Sequence, residues 1–168
     1  SRFIVGRDAA SALPTLRALH DAGVGFTVDL LGEATLSEPE ADEYARRYLD
    51  LLRALPREVS RWPSVAAVDG AGELAAPRVN VSVKLSALDS QLDPVDRDGS
   101  LAALEERVLP LAREARAHGA HLNFDLEQWA TAALAYDLFE RIALHPELRD
   151  WPQLGVVLQA YAVSAETR

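Results

Sequence analysis

The chain has no cysteine and no methionine. The first absence removes disulfides, thiolate metal centres and cysteine nucleophiles, and fits a reducing, cytoplasmic setting. Aromatics are sparse at 7%, so the core must lean on Ala, Leu and Val. Basic side chains are outnumbered, 17 against 26 acids, for a net charge of −9 and a pI near 4.9. Such a chain repels a phosphate backbone, which argues against a nucleic-acid partner, and an anionic membrane surface is disfavoured for the same reason. No apolar run approaches the ~20 residues of a membrane span. The opening Ser1-Arg2-Phe3-Ile4-Val5-Gly6 lacks the apolar stretch of a signal peptide. Ser1 is not a natural initiator, so the chain reads as a processed or excised piece. The turn Asp29-Leu30-Leu31-Gly32-Glu33 is not the glycine-rich phosphate loop of a dinucleotide fold. Lysine is the rarest charge of all: every one of the 17 basic positions but Lys84 is arginine.

What is present is the composition of a globular protein, 49% apolar and 26% charged, in 168 residues, enough for one domain. Lys84 sits in an apolar strand, Val79-Asn80-Val81-Ser82-Val83-Lys84-Leu85-Ser86. Three other strand-like runs also end in a polar group: Phe26-Thr27-Val28-Asp29, Leu122-Asn123-Phe124-Asp125 and Val156-Val157-Leu158-Gln159. Helical signals fall between them. Asp8 caps a helix to about His20, stopped by Gly23, with Pro14 delaying or bending it. Ser37, Pro39 and Glu40 open the next, with Glu40 completing a capping box. That helix should reach about Leu55, and its apolar positions Tyr44, Tyr48, Leu51, Leu52 and Leu55 share one face. Residues 56–78 carry Pro56, Pro63, Gly70, Gly72 and Pro77 and read as an inserted loop within a single domain spanning 1–168. Further helices are expected over about Leu101–His118, bent at Pro110, and Ala130–Leu144, and Ser164 looks like the cap of one more.

Strands alternating with helices predict parallel βαβ units. The polar strand ends recur roughly 35 to 55 residues apart, a fitting length for such units. A closed eight-stranded barrel takes ~250 residues, so four strands make half of one. The fold class is therefore α/β: parallel strand–helix units forming the first half of a (βα)8 TIM-like barrel. Half a barrel exposes two strand edges, which invites pairing with another chain or self-association into a homo-oligomer.

Polar groups at the ends of successive parallel strands are how such barrels build active sites. Lys84 can hold a carboxylate or form a Schiff base; the plain alternative is a strand-edge lysine whose head reaches water. Asp125 is the natural counter-charge, or a simple turn acid. Asp29 and Glu33 bracket the turn after the first strand; Glu33 can pair an arginine from elsewhere or sit near a helix start. Gln159 ends an apolar strand, and its amide must find partners, either backbone or a planar polar cofactor edge. His20, His118 and His145 lie near helix ends, where a solvated role is the default. No histidine shows metal-ligand spacing.

At these residues the chain resembles a known family. Phe26-Thr27-Val28-Asp29-Leu30-Leu31-Gly32-Glu33-Ala34, Val81-Ser82-Val83-Lys84-Leu85-Ser86-Ala87-Leu88, Asn123-Phe124-Asp125 and Val157-Leu158-Gln159-Ala160-Tyr161 are similar, in order and spacing, to motifs of the proline dehydrogenase family. The flavin-dependent domain of bifunctional proline utilization A proteins looks closest. The resemblance implies a (βα)8 barrel that binds FAD and oxidises L-proline to Δ1-pyrroline-5-carboxylate. It implies that Lys84 neutralises the proline carboxylate, that Asp125 is an active-site acid beside it, and that Gln159 bonds the flavin ring. Glu33 would pair an arginine of the last barrel helix, and Asp29 and Tyr161 fall at motif positions of less defined role. The missing C-terminal barrel half would supply most FAD contacts, so this stretch alone is expected not to retain FAD and to be inactive. A downstream aldehyde dehydrogenase domain, and a peripheral visit to the membrane by the intact protein, are left open. The competing readings are a Schiff-base aldolase-like barrel using Lys84, and a non-catalytic half-barrel interaction module.

Overall fold

The computed structural model describes residues 6, 8–32, 35–70 and 76–160. Among these, the element order is α1 (Ala9–Asp21), β1 (Val28–Asp29), α2 (Glu38–Val59), α3 (Ala66–Asp69), β2 (Asn80–Lys84), α4 (Arg97–Ala117), β3 (His121–Asp125), α5 (Ala132–Ala143) and β4 (Leu154–Val156). The four strands form one sheet in the order β1-β2-β3-β4, every pair parallel. Sequence order and spatial order coincide, as in successive units of a (βα) barrel. The expected α/β fold of parallel units is the one observed.

The helices form where their caps and apolar stripes dictate. Asp8 accepts from the Ser11 N–H at 2.8 Å while Ser11 Oγ accepts from the Asp8 N–H, a reciprocal cap. At the start of α2 the expected box is shifted by one residue: Ser37 makes no side-chain cap, and Glu40 Oε2 instead accepts from the Leu36 N–H at 2.9 Å. Helix α2 runs one turn past the expected end at Leu55, through Pro56. Leu52, Leu55 and Val59 lie on one buried face, and burying Val59, worth ~1.5–3 kcal/mol, offsets much of the proline cost. Pro14 and Pro110 likewise sit inside α1 and α4 without ending them.

The core lies between the sheet and a layer of helices. Val81, Val83, Leu122 and Phe124 are fully buried, together with Tyr48, Leu52 and Leu55 of α2, Leu104, Val108 and Leu111 of α4, and Leu138 and Ile142 of α5. Helix α4 packs between α2 and α5. The alternate strand positions, pointing away from the helices, are polar: Asn80, Ser82 and Lys84 on β2, and His121, Asn123 and Asp125 on β3. Asn123 donates to Ser82 Oγ at 3.1 Å across the pair. Gly155 lies opposite Asn123, and a Cβ there would meet His121 Nε2 at 3.0 Å and Asn123 Oδ1 at 3.1 Å. Its missing side chain makes room for the two polar ones.

At the amino-terminal end of the strands, Asp69 ties the α3 segment to the sheet. Its carboxylate accepts from Ser64 Oγ at 3.0 Å, the Val65 N–H at 2.7 Å and Arg78 at 2.6 Å, and lies 3.2 Å from His20 Nε2. Burial opposes its charge, but these donors outweigh it and hold the acid well below the usual carboxylate range. His20, expected to be solvated, is 2% exposed. Asp69 takes one ring nitrogen, and Trp62 packs on the ring at 5.3 Å.

Candidate active site

Three of the four predicted polar strand ends, Asp29, Lys84 and Asp125, close strands of the sheet; the fourth, Gln159, does not, because β4 stops at Val156. Lys84 closes β2 in register with Asp125 at the end of β3. Asp29 ends β1, in register with Ser82. The Lys84 ammonium lies between the two acids: it donates to Asp29 and, at 3.3 Å, to Asp125 Oδ2. The lysine side chain is 12% exposed, while the acids are 39% and 32% exposed. Burial alone would push its pKa down, but the hydrogen bond and charge of Asp29, then those of Asp125, outweigh it and hold the ammonium above its ordinary value. Asp125, the expected counter-charge, is thus one of two. An ammonium has three N–H donors, and the contacts with Asp29 and Asp125 use two.

Gln159 lies three residues past β4. Its Nε2 donates to the Leu126 carbonyl at 3.3 Å, next to Asp125, and its Oε1 is buried without a partner among the described residues. The amide is therefore anchored at one end and unsatisfied at the other. Lys84, Asp125, Asp29 and Gln159 converge at the carboxyl ends of neighbouring strands. Glu33 and Tyr161 lie outside the described residues.

The loops after the strands are stitched together around this cluster. The turn Leu85–Ala87 follows Lys84 directly. Its Ser86 carbonyl accepts from the Thr35 N–H at 3.1 Å, and Ser86 Oγ contacts Glu127. A cleft of about 140 Å³ opens here, lined by Thr35, Ser86, Asp89, Asp125, Glu127 and Thr131. Asp89 is buried, which raises its pKa despite the Gln91 N–H it accepts. Gly32 shapes the loop after β1: φ is +146°, and a Cβ would lie 1.7 Å from Tyr44 Oη, so no side chain fits. Sequence reasoning did not single out Ser86, Glu127 or Asp89, because short loop acids and hydroxyls have no distinguishing pattern. It read Tyr48 only as part of an apolar stripe. A tyrosine wholly inside such a stripe is itself a signal, since its hydroxyl needs a partner.

Parallel strand–helix units with a charged cluster at the strands' carboxyl ends are the signature of a (βα)-barrel enzyme. The chain belongs to the proline dehydrogenase family, whose model matches residues 12–168. It is 31% identical over 160 residues to the bifunctional protein PutA of Salmonella typhimurium, covering 95% of this chain and 11% of that protein. The PutA of Rhizobium meliloti is 29% identical over the same length, with 12% of that protein covered. Among solved structures, proline utilization A from Bdellovibrio bacteriovorus, inactivated by N-propargylglycine, superposes with a TM-score of 0.93 at 37% identity, over 97% of this chain and 17% of that one. The Bradyrhizobium japonicum protein gives 0.73 at 25% identity, over 98% and 16%. The chain thus spans about a tenth of the length of the curated relatives it matches.

Proposed function

We propose that this chain forms the substrate-carboxylate side of an FAD-dependent proline dehydrogenase, which oxidises L-proline to Δ1-pyrroline-5-carboxylate. The observation that carries the reading is the Lys84 ammonium, kept charged between Asp29 and Asp125 with its third N–H unpartnered among the described residues, together with the Gln159 amide anchored on Leu126 at the end of the neighbouring strand. Lys84 binds the proline carboxylate and thereby fixes the orientation of the ring. Asp125 and Asp29 keep the ammonium in place while the site is empty. The family relation supports FAD, and the buried Oε1 of Gln159, without a partner among the described residues, is an acceptor suited to the N–H edge of a flavin ring. FAD, when bound, supplies the acceptor for the hydride that proline loses. On the family motifs alone, Glu33 is assigned to substrate binding and Tyr161 to cofactor binding.

A Schiff-base reading fits less well. A nucleophilic lysine needs its pKa lowered so that the free amine is present near neutrality, whereas the acids here raise that of Lys84. Four strands carry only part of the cofactor pocket, and each hydrogen-bonding group left unmatched costs ~1–3 kcal/mol. This stretch in isolation is therefore assigned no turnover and no firm hold on FAD. A second copy or the other barrel half would cover the exposed edges of β1 and β4.

The test is chemical. Full-length protein supplied with L-proline and an artificial electron acceptor should release Δ1-pyrroline-5-carboxylate, trapped as a coloured adduct with an aminobenzaldehyde. If borohydride instead fixes a carbonyl substrate covalently to Lys84 and no proline is oxidised, the aldolase-like reading replaces this one.

A further inference from the structure

Lys84 is the end of its strand, and the end of a strand is where backbone geometry loosens. Strand β1 stops at Asp29, opposite Ser82. It therefore offers no paired residue to Val83 or Lys84 on that side. The Lys84 N–H is nevertheless satisfied, because it donates to the hydroxyl of Tyr48 at 3.3 Å. Tyr48 is fully buried on α2, in the same stripe as Leu51, Leu52 and Leu55. Any of several apolar residues would fill that stripe equally well, but only a phenol also reaches the Lys84 peptide.

We infer that Tyr48 is a positioning residue for Lys84: its hydroxyl replaces the carbonyl that β1 does not supply, and so fixes the direction in which the lysine leaves the sheet. The side chain aimed this way is the one held between Asp29 and Asp125. Burial keeps the phenol protonated by raising its pKa; the Lys84 N–H works in the other direction, and the nearby charges of Asp29 and Glu127 add to the rise. Tyr48 thus stays a neutral group of fixed geometry across the working pH range. Releasing the Lys84 peptide would leave a part-buried N–H unpaired, which strand fraying would relieve. Fraying there moves the ammonium away from the ligand without disturbing the rest of the core.

The inference rests on the reading of Lys84 as the carboxylate-binding group, so the test separates the two. Tyr48→Phe keeps the ring and removes only the hydroxyl. In full-length, flavin-loaded protein, two probes are titrated by calorimetry: a non-oxidisable five-membered-ring carboxylate and the same ring lacking its carboxylate. The variant should bind the carboxylate roughly tenfold more weakly, with the carboxylate-free ring unchanged. Steady-state data should show KM for proline rising by a similar factor, with kcat little altered. Flavin content and the thermal midpoint control for folding. Equal weakening of both probes, or loss of flavin, would assign Tyr48 a purely structural part and overturn the inference. Unchanged binding of both probes overturns it as well. Lys84→Ala is run in parallel: if it too leaves carboxylate binding intact, the failure belongs to the role given to Lys84, not to Tyr48.

Discussion

Replacing Lys84 by methionine keeps the length and apolar stem of the side chain and removes only its charge. Two effects then act on an incoming proline carboxylate. The charge-assisted hydrogen bond to the ammonium is lost, worth about 1.5–3 kcal/mol. In addition, Asp29 and Asp125 no longer have their cation, and both repel the ligand. A like charge at ~4 Å with an effective dielectric of 20 gives about 4 kcal/mol as an upper bound. Each acid is roughly a third exposed, so screening reduces this to about 1–2 kcal/mol in total. The sum is about 2.5–5 kcal/mol, a fall of roughly seventyfold to several thousandfold in kcat/KM for proline. Steady-state kinetics on the full-length Lys84→Met protein read this directly. Adding Asp29→Asn should recover part of the loss, because it removes one of the two repelling charges. A Lys84→Met enzyme within threefold of the parent would refute the reasoning.

The raised pKa of Lys84 sets a pH window: the ammonium is fully present below the ordinary lysine value of 10.5 and lost only as pH climbs through the higher folded value. Affinity for a carboxylate ligand should therefore show no lysine-dependent fall between pH 7 and about 10, and a loss centred near pH 8 that disappears in Lys84→Met would contradict this. Gln159→Leu removes both the anchor on Leu126 and the acceptor that has no partner among the described residues, so purified protein should carry less flavin per chain, measured by absorbance; undiminished flavin would separate Gln159 from the cofactor. Asp69→Asn strips the charge that Arg78 pairs with, and breaking such a buried pair should lower stability by about 3 kcal/mol, seen as a reduced thermal midpoint. The stabilisation from Asp69 is present above its unfolded value of 3.8 and lost as pH falls through the lower folded value, so the gap between Asp69→Asn and the parent should narrow in acid.

The strand–helix rhythm was legible because it is written in local terms: Asp8 as a cap, a three-four repeat from Tyr44 to Leu55, and polar residues closing apolar runs. The convergence of Lys84 and Asp125 followed from the same rhythm, since neighbouring parallel strands place their ends side by side. What was not legible depends on register and packing. That Asp29 shares the ammonium needs β1 to stop where it does. That α2 continues past Pro56 needs the burial of Val59, a tertiary gain invisible to proline's local preference. His20 looked like an ordinary helix-end histidine until Asp69, 49 residues away, was folded against it. The polar inward face of the sheet, with Gly155 making space for His121 and Asn123, also emerges only once the strands are aligned.

The most direct measurement is anaerobic mixing of the full-length protein with L-proline, followed by flavin absorbance. A yellow protein that bleaches with proline, and bleaches far less readily as Lys84→Met, is the expected result. Bleaching that proceeds equally with Lys84 gone, or a flavin indifferent to proline, would contradict a site built around that lysine.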